Sequence, residues 1–292
     1  MVFPLSNHER QEINDGEELE KREVKLKEAL SKIKYKIIIV SGKGGVGKSF
    51  VTANLAMAFA LKGYAVGVLD ADIHGPSIPK MLGLRSEVPT VSPIGVFPVI
   101  GPLNVKVMSI DFLIPSDEVP VLWRGPLKIS VLSQFITDVI WGDLDILLVD
   151  LPPGTGDEPL LIAQMIQPDF AIVVTMPSEV SKLVVKKVIT FLKVVNVPVL
   201  GVVENMSYFT CPRCGSRHEP LGSGGGKRLA EEMKVPFLGA IPIDPSINEA
   251  SDSGIPYIVK NPDSEVSKLF FEIIERLKCE VEERGQEKPN SS

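Results

Sequence analysis

The chain has little of what several classes of protein require. Its 292 residues include three cysteines, too few for a disulfide framework. No apolar run approaches roughly 18 residues, which excludes a conventional transmembrane helix. Positive charge is not in excess either, because 31 Lys and Arg face 37 Asp and Glu, for a net charge of −6. This balance argues against nucleic acid as the main partner.

The beginning of the sequence, MVFPLSNHER, also lacks a charged segment followed by an apolar one. We therefore expect no signal peptide and a cytoplasmic protein whose thiols stay reduced. With 44% apolar and 23% charged residues, the composition is that of an ordinary globular chain. We predict a disordered N-terminus over 1–16, a single domain over 17–281 and a disordered tail over 282–292.

An amphipathic helix is predicted ahead of the main fold. Residues 17–34 place Leu19, Leu26, Leu30 and Ile33 at helical spacing among mixed charges. We expect this helix to pack on the domain or on a partner.

From residue 36 onwards, short apolar runs alternate with helical patterns. The runs suit strands that are buried on both faces: KIIIVS, AVGVLD, DILLVD, FAIVVT, VPVLGVV and PFLGAI. Helices are predicted at 53–63, 126–140, 157–167, 178–195, 224–234 and 264–281. Residues 84–104, rich in Pro and Gly, are expected to be irregular. The alternation predicts an α/β fold, a doubly wound, mostly parallel sheet with helices on both faces, whose ligands bind at the carboxyl ends of the strands.

A glycine-rich loop, SGKGGVGKSF, follows the first predicted strand and opens the first predicted helix. Residues 42–49 fit G-x-x-x-x-G-K-[ST], the pattern of a phosphate-binding loop. Lys48 would neutralise the β- and γ-phosphates of ATP, and Ser49 would ligate Mg²⁺. The glycines let main-chain N–H groups approach phosphate oxygens. The predicted nucleotide-binding residues are Gly42, Lys43, Gly44, Gly45, Val46, Gly47, Lys48 and Ser49.

Carboxylates at two strand ends are predicted to serve this loop. Asp150 ends DILLVD and would support Mg²⁺ from behind. The PPGTG sequence follows it, and the main-chain N–H of Gly154 could sense the γ-phosphate. Asp70 and Asp72 lie at the end of AVGVLD, where Asp72 would orient an attacking water. Asp72 and Asp150 are therefore candidate catalytic residues beside Lys48.

Together these motifs resemble the deviant Walker A class of P-loop ATPases. That class includes the nitrogenase iron protein, MinD, the partition ATPases and the arsenical pump ATPase. Its KGGxGK[ST] loop is matched by residues 43–49. The resemblance implies a homodimer in which Lys43 reaches the partner's nucleotide and acts catalytically, stabilising transition-state charge as an arginine finger does.

A narrower resemblance is to the Mrp/ApbC branch, the ATP-binding carriers of iron–sulfur clusters. It is carried by DADIHGPS, WRGP (123–126), DLPPGTGD, ENMSYFTCPRCG and GSGGG (222–226), over about residues 20 to 280. It implies a cluster shared between two subunits and passed to apo iron–sulfur proteins. It also implies that Asn205 contacts adenine, with Pro242 and Asp244 beside the base.

Cys211 and Cys214 form a C-x₂-C knuckle that can aim two thiolates at one metal centre. Closed sulfur sites usually need four ligands, so a twofold axis between two chains would give a Cys₄ site that fits a [4Fe–4S] cluster. Zinc is the alternative, because CPRCG looks like half a zinc ribbon. Cys279 is expected to be an inert, partly buried thiol and His218 a loop residue.

Three functions stay open on the sequence. The first is an ATP-hydrolysing cluster carrier, and the second is a MinD- or partition-type positioning ATPase with a structural zinc at the cysteine pair. The third is a metallochaperone for another ion. A positioning ATPase should carry a basic membrane helix or a basic DNA-binding patch, but Glu280, Glu282 and Glu283 follow the apolar C-terminal helix. We therefore expect no membrane and no nucleic-acid partner.

Overall fold

The computed structural model of the protein describes residues 24, 26–73, 75–113 and 136–286, with the side chains of 179–182 and 282–286 excepted. The expectations for residues 1–16, for Leu19 and for the WRGP motif therefore lie outside the described residues, as does most of the helix predicted over 126–140.

Twelve strands and eight helices can be assigned in these ranges. The strands are β1 Ile33–Ser41, β2 Val66–Asp70, β3 Thr90–Ser92, β4 Gly95–Phe97, β5 Val99–Ile100, β6 Lys106–Ser109, β7 Leu144–Asp150, β8 Phe170–Thr175, β9 Val199–Glu204, β10 Phe209–Thr210, β11 Arg217–His218 and β12 Phe237–Ala240. The helices are α1 Lys48–Leu61, α2 Ile78–Met81, α3 Asp157–Ile166, α4 Glu179–Val194, α5 Gly225–Met233, α6 Pro245–Ser253, α7 Tyr257–Lys260 and α8 Glu265–Gln286. A helical segment also covers residues 26–31.

Eight of the strands form one sheet in the order β12-β9-β8-β1-β7-β2-β6-β5. All neighbours in this sheet are parallel except β5 and β6. The predicted doubly wound, mostly parallel α/β fold is confirmed. The winding changes direction at β1, which has β7 on one side and β8 on the other, so the carboxyl end of β1 is where a ligand is expected.

Strand register gathers the polar strand ends at this point. Asp70 at the end of β2 lies directly opposite Asp150 at the end of β7, and Asp150 is also in register with Ile39 of β1. Because all three strands are parallel, their next residues leave the sheet at the same edge. The apolar runs that predicted β2, β7, β8 and β9 are buried almost throughout, as strands covered on both faces require.

The helix after the first strand is almost entirely buried, which fixes the position of everything at its N-terminus. Helix α1 contacts the sheet and also packs on α8, where the rings of Phe50 and Phe270 meet edge to face at 5.8 Å. Among the described residues, no helix has the length and the apolar character needed to cross a bilayer.

Three expectations about the periphery differ from the structure. The leading helix covers 26–31, where Leu26 and Leu30 join the core, but Ile33 begins β1 instead of continuing the helix. The stretch 84–104 is not wholly irregular, because β3 and β4 pair as a hairpin and β5 extends the sheet. The last helix runs on to Gln286, so the tail expected to be disordered is helical over 282–286. The single domain stays a prediction.

Candidate functional site

A cavity of about 620 Å³ opens at the carboxyl ends of β1, β2 and β7. Its walls come from the glycine-rich loop after β1, from the loop after β2 and from the PPGTG loop after β7. Of the predicted nucleotide-site residues, those that line it are Lys43, Gly44, Gly45, Val46, Gly47, Lys48, Ser49 and Asp72. Gly42 is buried just behind the cavity, where a Cβ atom would lie 3.0 Å from Cγ1 of Val184.

Asp150 is the buried centre of the site's polar network. Its Oδ2 accepts hydrogen bonds from the Lys48 Nζ and the Ser49 Oγ, both at 2.6 Å, and its Oδ1 accepts one from the Thr52 Oγ1 at 2.6 Å. The Lys48 Nζ also lies 3.8 Å from Oδ2 of Asp72. The structure therefore brings Lys48, Ser49, Asp72 and Asp150 together. Thr52 was missed in the sequence, although it lies one helical turn beyond Ser49 and faces the same way.

The residues present fit a nucleotide with its magnesium ion. Ser49 offers a hydroxyl oxygen at the cavity wall, the kind of hard ligand that Mg²⁺ prefers, and Asp150 lies directly behind it. Helix α1 begins at Lys48, so its N-terminal partial positive charge adds to that of the ammonium group. An anionic ligand in this cavity would meet both charges at once.

Asp70 is fully buried beside this network and holds the loop that carries Asp72. Its carboxylate accepts main-chain hydrogen bonds from Asp72, Ser77 and Ile78 at 3.1–3.3 Å and one from the Ser109 hydroxyl at 3.1 Å. Burial, and then the nearby charge of Asp150, raise the pKa of Asp70 to about 7. Asp70 thus fixes the loop after β2, which carries Asp72 at the cavity wall.

The glycine-rich loop is braced by a side chain that is distant in the sequence. Gly47 has φ 79°, and a Cβ atom there would lie 2.1 Å from the Nδ2 of Asn205. That Nδ2 donates to the Val46 carbonyl at 2.9 Å, and Asn205 is 3% exposed. Asn205 therefore supports the loop from inside the protein. Its contact with adenine stays a prediction, and it does not line the cavity.

Three residues that were expected near the nucleotide, Gly154, Pro242 and Asp244, have other contacts in the structure. The Gly154 N–H donates to the Ser41 carbonyl at 2.8 Å, so the idea that this group faces the γ-phosphate is wrong in this structure. Pro242 and Asp244 line a separate cavity of about 190 Å³. Asp244 caps α6 by accepting from the Ser246 N–H, and although burial opposes it, hydrogen bonds from Ser246 and Tyr257 lower the pKa of Asp244.

Lys43, the second lysine of the loop, differs from Lys48 in its surroundings. Lys43 is half-buried at the cavity wall, whereas Lys48 is buried and paired with Asp150. Within the ranges that the structure describes, no carboxylate forms an ion pair with Lys43. Its ammonium group is therefore available to a ligand, and its role across a dimer interface stays a prediction.

The cysteine pair lies at the tip of a small hairpin, residues 209–218, formed by β10 and β11. The turn is closed by main-chain hydrogen bonds from Cys211 to the Ser216 carbonyl and from Gly215 to the Cys211 carbonyl, at 2.9 and 2.8 Å. Both thiols are free; Cys211 is half-buried and Cys214 is exposed. The Ser216 hydroxyl, with Sγ···Oγ at 3.0 Å, lowers the pKa of Cys214.

The hairpin does not complete a metal site by itself. Among the described residues, no group of three His, Cys, Asp or Glu side chains could hold a metal ion. His218 lies on β11 and its Nε2 is 2.8 Å from the Ser216 Oγ. Cys279 is an exposed residue of α8, not the partly buried thiol that was expected. One chain thus offers two thiol ligands.

The base of the hairpin contacts Tyr208, a residue that no motif in the sequence marks as functional. The Arg217 guanidinium lies 3.6 Å above the ring of Tyr208, and the Tyr208 hydroxyl donates to Glu265 at 2.7 Å. Burial and the bond to Glu265 raise the pKa of Tyr208 to about 12. The Tyr208 hydroxyl therefore stays protonated and keeps this bond at neutral pH.

The GSGGG motif has a structural partner in Glu204. This buried carboxylate accepts from the Ser207 hydroxyl and from the main-chain N–H groups of Gly224 and Gly226, at 2.5, 3.2 and 2.5 Å. It closes the N-terminus of α5, whose first N–H groups would otherwise lack partners. This close approach requires glycine at position 226, since a Cβ atom on Gly226 would lie 2.9 Å from the Cβ atom of Glu204.

The chain matches the protein family described as ParA, NUBPL iron-transfer P-loop NTPase, over residues 32–278. A protein of Saccharolobus solfataricus named iron–sulfur cluster carrier protein is 54% identical over 257 residues, which cover 87% of this chain and 86% of that relative. A protein of the same name from Methanocaldococcus jannaschii is 52% identical over 265 residues, which cover 90% of this chain and 91% of the relative.

Solved structures show the same fold. A nucleotide-binding protein from Archaeoglobus fulgidus, in complex with ADP and with cobalt found in it, superposes with a TM-score of 0.74 at 43% identity, covering 85% of this chain and 96% of its own. The cell division ATPase MinD of Pyrococcus furiosus superposes with a TM-score of 0.62 at 27% identity, covering 84% of this chain and 99% of its own.

Proposed function

Because the chain belongs to the ParA/NUBPL family of iron-transfer P-loop NTPases, we propose that it is an ATP-hydrolysing carrier of an iron–sulfur cluster. The observation that carries the proposal is the unfinished cysteine site. Two accessible thiols lie at the tip of a hairpin, and the described part of the chain supplies no third ligand. A second copy of the chain, related by a twofold axis, would complete a Cys₄ set for a [4Fe–4S] cluster.

The cluster is cargo in this proposal. Cys214 is exposed, so it presents its sulfur at the surface, where a cluster can be received and passed on. A site shared between two subunits opens when the subunits move apart. Apo iron–sulfur proteins are the proposed recipients.

The nucleotide site would act through residues of both subunits. Lys48 would bind the β- and γ-phosphates and Ser49 would ligate Mg²⁺. Asp150, which accepts hydrogen bonds from both side chains, orients them from behind. Bound Mg²⁺ offsets the charge of the phosphate oxygens. Asp72, whose Oδ2 lies 3.8 Å from the Lys48 Nζ, orients the attacking water. Lys43 contacts the partner's nucleotide and stabilises charge that develops during hydrolysis.

Anaerobic reconstitution tests the carrier function. Wild-type protein should bind about four irons per dimer, as one Cys₄-ligated [4Fe–4S] cluster requires. Cys211→Ala and Cys214→Ala should each lose the bound iron, while Cys279→Ala should retain it. Iron and sulfide content, zinc content and mass by light scattering would be measured on the same samples. Unchanged iron binding in both hairpin variants would sink the proposal.

The likeness to MinD favours a second candidate function, that of a positioning ATPase with a structural zinc at the cysteine pair. This candidate predicts zinc in protein purified anaerobically from cells and ATP-dependent co-sedimentation with liposomes or DNA. The carrier predicts iron and sulfide and no co-sedimentation. The two outcomes separate the candidates in one preparation.

A further inference from the structure

The phosphate loop and the cysteine hairpin are joined by a short stretch of the same chain. Asn205 contacts the loop, and Cys211 follows six residues later. We refer to residues 205–210 as the connecting segment. Its contacts show how a change at the loop could reach the cysteines without passing through a dimer interface.

At its first end, the segment is packed against the loop without space between them. The Asn205 Nδ2 donates to the Val46 carbonyl at 2.9 Å. A Cβ atom on Gly47 would lie 2.1 Å from that nitrogen and 3.7 Å from the Cε of Met206. Met206 itself has φ 56°, in the left-handed region that non-glycine residues seldom adopt. Because packed interiors are hardly compressible, a shift of the loop must displace Asn205 and Met206.

The middle of the segment is held by hydrogen bonds on several sides. The Ser207 hydroxyl donates to Glu204 and the Ser207 N–H to the Ile241 carbonyl, at 2.5 and 2.9 Å. The Tyr208 carbonyl accepts from the Ile243 N–H at 2.6 Å. These bonds join the segment to Glu204 and to residues 241–243, so a displacement at Asn205 that is carried forward to Tyr208 must move this neighbouring stretch with it.

At its second end, the segment continues into β10 of the hairpin, where Phe209 also bridges to Ile243, and a stacked pair joins the segment to the returning strand β11. The Arg217 guanidinium lies over the Tyr208 ring, and Arg217 pairs with Thr210 in the hairpin, next to Cys211. Two strands of two residues are too short to be stable or oriented alone. The stack, which is open to solvent because 55% of the Arg217 side chain is exposed, is therefore the contact that can form or break.

We propose that Tyr208 and Arg217 are positioning residues through which the phosphate loop sets the orientation of Cys211 and Cys214. The hairpin has a docked state, with Arg217 on Tyr208, and a released state without this contact. A nucleotide that moves Val46 and Gly47 shifts the balance between the two states, and by linkage the cargo shifts nucleotide affinity in return. This inference rests on the proposed function, because it takes the cysteines as cargo ligands and the loop as the nucleotide site.

Thiol reactivity in reduced, metal-free protein tests the inference without any cluster. In a Cys279→Ser background, the two thiols left are Cys211 and Cys214. Their rate of reaction with a chromogenic aromatic disulfide would be measured with and without a non-hydrolysable ATP analogue and Mg²⁺. The nucleotide should change this rate by about fivefold or more, the lower range of allosteric coupling. Arg217→Met should abolish the change while keeping nucleotide affinity, measured by calorimetry.

Arg213→Met is the matched control. Arg213 lies between the two cysteines, is exposed, and has no ring or carboxylate partner in the described part of the chain. Its removal takes the same charge from the neighbourhood of the thiols but leaves the stack intact, so the nucleotide response should persist. Arg217→Lys, which keeps the positive charge, should restore part of the response that Arg217→Met loses.

The outcomes separate this inference from the proposed function. An equal nucleotide response in Arg217→Met and Arg213→Met would overturn the inference. The inference would also be overturned if the thiol reaction rate of the wild-type protein were the same with and without nucleotide, even in protein that binds iron normally. A wild-type protein that shows the response but binds no iron on reconstitution would keep the inference and overturn the carrier function instead.

Discussion

The phosphate loop and the cysteine hairpin differ in how much of each site one chain supplies. Around the loop, Lys48 is 6% exposed and Asp150 is inaccessible, and three donors converge on one carboxylate. The hairpin has two pairs of residues, one exposed thiol and one half-buried thiol. The loop is therefore preorganised by the core of its own subunit, whereas the hairpin needs further ligands from outside it.

The two sites are suited to different tasks. Polar groups that are already fixed in a buried network need little reorganisation when a charged ligand binds, so the loop is preorganised for that ligand. An exposed pair of thiols on a short hairpin has few contacts to break when a cargo leaves. Substitutions at the loop should therefore lower both the free energy of unfolding and nucleotide affinity. Substitutions at the hairpin should lower only the binding of iron.

The largest effect is expected for Lys48→Ala. Removing the ammonium group leaves Asp150 as a buried charge, which should destabilise the protein by about 3–5 kcal/mol. Nucleotide affinity should fall by about 2–5 kcal/mol, since the phosphates lose their main counter-charge. Urea unfolding and calorimetric titration with ATP would measure the two losses. Lys43→Ala is the matched control. Because Lys43 is half-buried, its substitution should change the free energy of unfolding by less than about 0.5 kcal/mol.

Hydrolysis distinguishes the two lysines further. If Lys43 acts on the partner's nucleotide, Lys43→Ala should keep most of the ATP affinity and lose most of the turnover. Equal losses of affinity in the two variants would contradict that assignment, because both lysines would then serve the same phosphates.

The next largest effect is expected for Gly47→Ala. An L-residue at φ 79° costs about 1–2 kcal/mol, and the new methyl group would lie 2.1 Å from the Asn205 Nδ2, adding about 1–3 kcal/mol of overpacking. Gly44→Ala is the control, since nothing lies within 4 Å of its Cβ position. Chemical denaturation of both variants without nucleotide would measure the difference. Similar midpoints would mean that Asn205 does not brace the loop.

The central strands and the loop could be predicted because their determinants are local in the sequence. A continuous apolar run such as DILLVD must be buried on both faces, and the glycine pattern at 42–49 encodes its own turn and helix start. The hairpin of β3 and β4 pairs residues that are close in the sequence, but the support of β4 could not be predicted, because Val96 also forms main-chain bonds with Asp138 and Ile140, about 40 residues later in the chain.

The supports of the site were missed for the same reason. Asn205 reaches Val46 across 159 residues of sequence, and Glu204 reaches Gly226 across 22. No spacing rule pairs an Asn with a carbonyl at such a distance. The family resemblance directed attention to Asn205 as a ligand contact, and the structure adds its role in holding the loop.

A smaller effect concerns pH. Since the pKa of Asp70 rises from its ordinary value of 3.8 to about 7, the folded state keeps a proton that the unfolded state releases. Stability should therefore fall as pH rises through this window, by about 2 kcal/mol from about pH 5 to about pH 7. Asp70→Asn should be less stable overall, because whichever way the amide turns its nitrogen cannot accept from the main-chain N–H that it faces, but its stability should lack this decline. Urea unfolding at several pH values would show whether the two curves converge as pH rises; parallel curves would refute the shift.

The smallest effect on stability is expected at the hairpin itself. Cys214→Ser replaces an exposed thiol with a hydroxyl of similar shape that can still bond to Ser216, so the free energy of unfolding should change by less than about 0.5 kcal/mol. Cys279→Ser, also at an exposed position, should be equally silent in unfolding. The two variants should separate only in anaerobic iron content, which Cys214→Ser should lose and Cys279→Ser should keep. A large loss of stability in metal-free Cys214→Ser would mean that the hairpin belongs to the folded core, and the contrast between a preorganised loop and an unfinished hairpin would fail.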